Sequence, residues 1–279
     1  MPELEQRLLA LPGARAAVPA MLRNRYFDTP DGRLNRERMA LRVRQANGQC
    51  IQTLKTKGRM QGGVAHRQEW EWAIDSPELR LDLLADTPLA DHGLLEQLQP
   101  CFETSFERRV IDLEFSGEAG DNRASIECAL DQGEVIAGDR KHPLCELEIE
   151  LKEGDARALS LVARKLADEV PMFLNGVSKA EQGYDLARLH RFPEPPSAPV
   201  ERCLSVLAEA WQRNEHGYWS GVLDALEGLR DQADRHGMND TLNAIKTRFR
   251  EASEQGRAPR EVLTTDRDLA RLQLTVAMG

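Results

Sequence analysis

Alternation with a period of two over residues 39–72 constrains this chain more than any other feature, because only a β-strand sends successive side chains to opposite faces. Along 39–44, Leu41 and Val43 point one way and Arg42 and Arg44 the other. Along 51–57, Thr53, Lys55 and Lys57 share a face. Along 67–72, Arg67, Glu69 and Glu71 share one face and Trp70 and Trp72 take the other. Asn47-Gly48 and the glycines between 58 and 63 supply turns, so the three segments predict neighbouring antiparallel strands. One face of that sheet is apolar and the other densely charged.

The same period returns downstream. Residues 105–115 and 125–131 read as strands; in the second, Ile126, Cys128 and Leu130 oppose Glu127 and Asp131. Gln132-Gly133 reads as a turn into 134–137. Residues 143–152 alternate most strictly, with Cys145, Leu147, Ile149 and Leu151 against Glu146, Glu148, Glu150 and Lys152. Residues 23–28 form a further strand, closed by Thr29-Pro30-Asp31-Gly32, where proline presets φ and glycine relieves the turn. Helices are expected at 4–11, 155–170 and 178–189, with short helical or ordered loop segments at 79–84 and 93–99. Pro193, Pro195, Pro196 and Pro199 mark residues 192–200 as a linker. Helical segments follow at 201–217, 219–237 and 240–255. The expectation is an α+β domain over 1–191, a proline-rich linker over 192–200, and a small all-helical module over 201–279, with no internal repeat.

At 279 residues the chain can bury more than one core. Its formal net charge of -9 argues against a general binder of nucleic acid or anionic membrane. A basic cluster inside an acidic chain suits a compact anion held by the fold. The five cysteines show no C-x-x-C pair, and the six histidines lack zinc spacing, so reduced thiols are expected and a zinc site is not. No apolar run reaches membrane-spanning length and no signal-peptide pattern opens the chain; a cytoplasmic location is the expectation.

The charged faces divide by sign. Arg42, Arg44, Lys55, Lys57, Arg67 and Arg108 are basic; Glu69, Glu71, Glu127, Glu146, Glu148 and Glu150 are acidic. Neighbouring glutamates on one strand face repel unless a cation sits among them. Magnesium and similar hard cations take carboxylate and phosphate oxygens, and arginine and lysine are the usual phosphate partners. The chemistry this favours is phosphoryl transfer to water, with a carboxylate positioning the attacking molecule. A solvated sheet face with cross-strand salt bridges gives the same pattern, and the pattern alone leaves both readings open.

The ordered pieces Tyr26-Phe27-Asp28-Thr29-Pro30-Asp31, Leu41-Arg42-Val43-Arg44, Thr53-Leu54-Lys55, Gly62-Gly63 and Arg67-Gln68-Glu69 continue with Ile126-Glu127 and Leu130-Asp131-Gln132-Gly133-Glu134. Cys145-Glu146-Leu147-Glu148-Ile149-Glu150-Leu151, Ser178-Lys179-Ala180 and Gly183-Tyr184 complete them. Together they resemble the CYTH superfamily, the triphosphate tunnel metalloenzymes, and within it the bacterial inorganic triphosphatases. The resemblance spans nearly all of residues 1–190. It implies an antiparallel β-barrel tunnel of about eight strands with flanking helices, hydrolysing inorganic triphosphate with magnesium or manganese.

With the face pattern, the resemblance gives Arg42, Arg44, Lys55, Lys57, Arg67, Arg108 and Lys179 as substrate-binding. It gives Glu69, Glu71, Glu127, Glu146, Glu148 and Glu150 as metal ligands, and Glu148, Glu150 and Glu69 as the catalytic carboxylates. An exposed helix lysine is the plainer reading of Lys179, and packing the plainer reading of Tyr26. Adenylate cyclases and thiamine triphosphatases share the architecture; a triphosphate- or polyphosphate-binding module with little turnover is the alternative of a different class. The helical tail resembles a degenerate CHAD-like region, a module associated with polyphosphate, although Lys246, Arg248 and Arg250 also suit a solvated helix face.

Two departures stand out. The family signature Glu-x-Glu-x-Lys belongs on a first strand, whereas Met1 opens what reads as the helix after it. Glu148-Ile149-Glu150-Leu151-Lys152 fits the spelling but occupies the late acidic strand. The expectation is therefore a natural start further upstream, and a chain that binds triphosphate but hydrolyses it poorly for want of one tunnel strand. Second, a basic residue expected two positions after Arg108 is replaced by Val110, and Arg109 should face outward.

Overall fold

The structure is a computed structural model that describes residues 1–56, 59–61, 64–66, 68–90, 93–117, 122–190 and 192–278, with 59–61, 64–66 and 278 described by backbone alone. Lys57, Arg67 and Gly62-Gly63 lie outside the described residues.

Helix α1 (Pro2–Leu9) precedes β1 (Ala14–Ala16), β2 (Ala20–Asp28), the single turn α2 (Arg33–Arg36), β3 (Ala40–Ala46) and β4 (Gln49–Lys55). A small hairpin, β5 (Arg59–Gln61) and β6 (Val64–His66), leads into β7 (Glu69–Ile74). The long strands β8 (Gln99–Phe115), β9 (Ala124–Ala137) and β10 (Arg140–Gly154) follow, then α3 (Arg157–Glu169) and α4 (Lys179–Leu186). The main sheet is antiparallel and eight-stranded, in the order β10-β9-β8-β2-β3-β4-β7, with β1 paired to β8. Strand number and direction are as expected. The tunnel is not a closed ring, however: among the described residues no ladder joins β7 to β10, which form the two edges.

The alternating faces sort as the period requires. On one side Leu41, Val43 and Leu54, with Trp70 and Trp72, pack under Leu84, Leu89 and Leu94 of the 79–98 segment. Further along, Ile111, Leu113, Ile126, Cys128 and Leu130 are covered by Leu4 and Leu8 of α1 and by Ala158, Val162 and Leu166 of α3. The apolar sides of both halves are thus used up in core, which leaves the charged side for the site. Part of that side is also roofed, because α4 lays Tyr184 against Phe102, Phe106, Val135 and Leu144. Tyr26 stacks on Phe102 at 4.4 Å, the packing role expected for it.

Local chemistry explains the turns. Asn47 and Gly48 both have positive φ (51° and 76°), the two-residue hairpin geometry that this pair favours. The buried Asp28 carboxylate accepts hydrogen bonds from the backbone N–H groups of Leu34 at 2.8 Å and Asn35 at 3.0 Å, so the Asp28-Thr29 motif caps α2 and is not part of the site. The turn expected at Gln132-Gly133 does not exist: β9 runs straight through it and turns at Gly138, whose φ is +58°. Gly133 is there for close approach, since a Cβ would lie 2.1 Å from the Ser105 carbonyl oxygen and 2.5 Å from Phe106 Cα.

Beyond the prolines, α5 (Pro199–Arg213), α6 (Trp219–Glu227), α7 (Arg230–Arg235) and α8 (Asn239–Glu254) replace the three segments expected, and α9 (Pro259–Thr265) and α10 (Leu269–Met278) extend them. Their own core is built on Leu207, Trp219, Val222, Ile245, Phe249 and Leu272. Arg248, expected on a solvated face, instead clasps Asp266 through two bonds of 2.7 and 2.9 Å, tying α8 to the loop before α10. The Gln273 amide exchanges hydrogen bonds with the Leu174 backbone at 2.9 and 3.0 Å and fastens α10 beside α3. All five cysteines are free. No helix of the described residues is long and apolar enough to cross a membrane.

Because Gly133 meets backbone and not a flexible side chain, Gly133→Ala is expected to destabilise the fold by about 3 kcal/mol, the upper end for an overpacked site. Urea unfolding should show a lower midpoint at unchanged slope.

Candidate active site

Strand register decides which charges meet. Arg108 on β8 lies opposite Asp131 on β9, and Asp131 lies opposite Glu146 on β10. Asp131 is fully buried, and the Arg108 guanidinium grips it through Nε at 2.8 Å and Nη2 at 2.7 Å. The same Nη2 also donates to Glu148 at 2.6 Å. From above, Lys179 at the start of α4 places its ammonium 2.8 Å from Asp131, 2.9 Å from Glu148 and in direct contact with Glu146. Gln182, one turn along α4, donates to the other Glu146 oxygen at 3.3 Å. Lys179 is therefore no exposed helix lysine; only 11% of its side chain is accessible.

Helix α4 is delivered to this spot by sequence. Ser178 and Glu181 form a capping box, with the Ser178 N–H donating to the Glu181 carboxylate at 2.8 Å. Gly183 lets the helix lie directly on Phe102, whose ring atoms a Cβ would meet at 2.0 Å.

The cationic half of the face is built on β3. Arg44 donates through Nε to the Asn24 side-chain carbonyl at 2.8 Å, and Asn24 in turn donates to the Thr104 hydroxyl at 2.9 Å. Arg42 Nε is buried and has no hydrogen-bond partner among the described residues. Burial, reinforced by the like charges of Arg42 and Arg108, pulls the Arg44 pKa down to about 10. Thr104 lies four residues before Arg108 on the same face of β8, so the Arg44–Asn24–Thr104 chain puts the two halves on one sheet face. Among the described residues Arg42 and Arg44 make no ion pair, although Glu71 is near enough to attract Arg44, whereas Arg108 and Lys179 are both paired with carboxylates.

The other acidic candidates are engaged elsewhere. Glu127 and Glu150 face each other across β9 and β10, bridged by Lys152 at 3.2 and 3.3 Å. Glu69 pairs with Lys55 at 2.8 Å, and Glu71 accepts from the Thr53 hydroxyl at 3.1 Å, both on the β4–β7 ladder. Of the expected metal ligands, the structure gathers only Glu146 and Glu148 into one cluster, and it adds Asp131, which the face pattern contained but the candidate set omitted. Arg109 points outward to Glu5 and Glu107, as expected.

Oxygens of Asp131, Glu146 and Glu148 lie within 4.8 Å of one another, the one such group among the described residues. An all-carboxylate donor set suits a hard divalent cation. Environment separates the three acids. Burial raises the Glu146 carboxyl, and Lys179 offsets this only in part. Burial also opposes ionisation of Asp131 and Glu148, yet Lys179 and Arg108 together hold both below the ordinary carboxylate range. Lys179 itself is raised, since its three carboxylates outweigh burial.

A model of the CYTH domain matches residues 1–184. The inorganic triphosphatase of Haemophilus influenzae is 34% identical over 168 residues, covering 58% of this chain and 45% of its own length. The chain thus spans less than half of that relative. HpAC1 of Hippeastrum, a candidate adenylyl cyclase in which triphosphatase activity dominates, aligns with a TM-score of 0.44 at 21% identity, covering 66% of this chain and 91% of its own. The PH1012 protein of Pyrococcus horikoshii OT3 aligns with a TM-score of 0.37 at 16% identity, over 59% and 83% of the two chains.

Asp131 sets an acid limit on the fold. Its folded pKa lies below the unfolded value, so its ion pairs stabilise fully above about pH 4 and are lost as pH falls through the lower folded value. Asp131→Asn should be clearly less stable than wild type at neutral pH, and the gap should narrow below about pH 4. Urea midpoints of both proteins between pH 3 and 7 measure it; a gap that stays constant would contradict the ion pairing.

Proposed function

Because this chain belongs to the CYTH family, we propose that it hydrolyses inorganic triphosphate to diphosphate and phosphate on the charged face of its sheet, using magnesium or manganese. One observation carries this reading: Arg42 and Arg44, which make no ion pair among the described residues, share a sheet face with the Asp131–Glu146–Glu148 carboxylates. A polyphosphate anion with its bound cation matches both halves at once, whereas a neutral ligand would match neither. The named inorganic triphosphatase at 34% identity supports the same substrate class.

Arg42 and Arg44 bind non-bridging phosphate oxygens through their guanidinium groups. Arg108 and Lys179 stabilise negative charge as it develops on the phosphate being transferred. Asp131, Glu146 and Glu148 would hold the divalent cation, which on binding supplies Lewis-acid polarisation of the phosphate. Glu148 is half exposed and kept ionised by Lys179 and Arg108, so it is the carboxylate suited to orient the attacking water and accept its proton. The water oxygen–phosphorus bond forms, the bridging phosphorus–oxygen bond breaks, and diphosphate leaves. Lys55, Glu69, Glu71, Glu127 and Glu150 flank this centre as polar wall, each held by the partners described above.

The test is phosphate release from tripolyphosphate, ATP and thiamine triphosphate, with magnesium and then manganese. Tripolyphosphate should be preferred, and a chelator should stop the reaction. Glu148→Gln should lower kcat by about 10²-fold or more without unfolding the protein. Stabilisation by tripolyphosphate with no turnover in either metal would replace the enzyme with a binding module.

A further inference from the structure

The two charged side chains at the ends of α4 sit at the wrong ends for the helix. Lys179 occupies its first position, where the macrodipole is positive, and Asp185 its last turn, where it is negative. Each is unfavourable for α4 alone, so each is explained by what it touches outside the helix. For Lys179 the explanation is the three carboxylates of the site. For Asp185 it lies in the helical region: Arg213 at the C-terminus of α5 pairs with it at 2.6 Å, and Gln212 donates to its other oxygen at 3.1 Å. Asp185 is almost wholly buried, and Gln212 is buried beside it. The Arg213 guanidinium is also seated over the Phe192 ring at 5.2 Å, which fixes its direction.

Helix α4 is thus a short strut, roughly 9 Å from Lys179 to Asp185 at 1.5 Å per residue, with one end in the carboxylate cluster and the other held by α5. We propose that Arg213 and Gln212 are positioning residues that act through Asp185 and α4 to hold the Lys179 ammonium in the site, so that the helical region sets how that site meets its anionic substrate. The substrate half of this statement rests on the triphosphatase reading; the mechanical half does not. Without Arg213 the mostly buried Asp185 carboxylate loses its direct ion-pair partner and keeps only the more distant charge of Arg260, and such a group moves toward water instead of staying buried without a contact. Moving the last turn of an eight-residue helix tilts its first, since the interior hydrogen bonds of the helix make it stiff. Lys179 would then leave its three carboxylates.

The experiment uses the full chain and needs no ligand. Lysine acetylation by acetic anhydride, followed residue by residue by mass spectrometry, reports how often the Lys179 amine is released. Arg213→Met combined with Gln212→Ala should speed Lys179 acetylation at least about fivefold relative to Lys55 and Lys152, the lower end of couplings between linked sites. Arg213→Lys should restore the wild-type rate. A general loosening of the fold would speed all three lysines alike and overturn the proposal, as would an unchanged Lys179 rate. Arg213→Met alone gives the same readout if the double variant does not fold. In a second arm, Arg213→Met should shift KM or kcat for tripolyphosphate, and the shift should vanish in a Lys179→Met background. Faster Lys179 labelling without any tripolyphosphate turnover in wild type would leave the coupling standing and remove the triphosphatase reading. Turnover with unchanged labelling would do the reverse.

Discussion

A buried carboxylate held between two cations organises the site. Asp131 is out of contact with water, and an unpaired carboxylate there would cost several kcal/mol, about 3–5 when one partner of such a pair is lost. Arg108 and Lys179 remove that cost, and in doing so each is fixed in place by a residue that cannot move. Their remaining hydrogen-bonding capacity is then aimed at Glu148 and Glu146. The more accessible acids are therefore positioned by the least accessible one. The charge count is close to neutral, two cations against three carboxylates, which leaves the cluster receptive to one more positive charge.

The two halves of the charged face differ in how fully they are satisfied. Around Asp131 each donor has an acceptor. Around Arg42 a buried Nε–H has none among the described residues, and Arg44 is held by a neutral Asn24–Thr104 relay in place of an acid. Natural interiors leave few polar groups unsatisfied, and a ligand is one way such a group is completed. Much of the face is salt-bridged, as the plainer reading of the sequence expects. Lys55 with Glu69, and Lys152 with Glu127 and Glu150, are ordinary cross-strand pairs.

Faces were legible in the sequence, but neighbours were not. A period of two states which side of a sheet Arg42, Arg44, Arg108 or Glu148 occupies, and the structure agrees in every described case. It is silent about register, because sliding a strand by two residues preserves every face while changing every partner. The meeting of Arg108 with Asp131 is a register fact, so the period assigns Asp131 its side and gives no sign of its partner. Gly133 is ambiguous for a related reason: a glycine that ends a strand and a glycine that lets another strand come close look alike in one chain. The last two helices carried a readable signal in Pro259 at the first position of α9, the place where proline suits a helix best. Closure of the sheet into a ring was an expectation from resemblance and had no local signal to check it.

The ladder between β2 and β8 has a consequence for how the chain assembles. It joins residues such as Asn24 and Thr104 that are 80 positions apart, whereas β8, β9 and β10 form a continuous meander of near neighbours. Closing the longer loop demands more chain entropy before any contact rewards it. The three long strands carrying Arg108, Asp131, Glu146 and Glu148 can pair locally, as can β2, β3 and β4 with their arginines, and the β2–β8 ladder is the long-range step that joins the two units. Within the first unit Arg108 alone faces three carboxylates, an excess of negative charge that Lys179 relieves once α4 has packed.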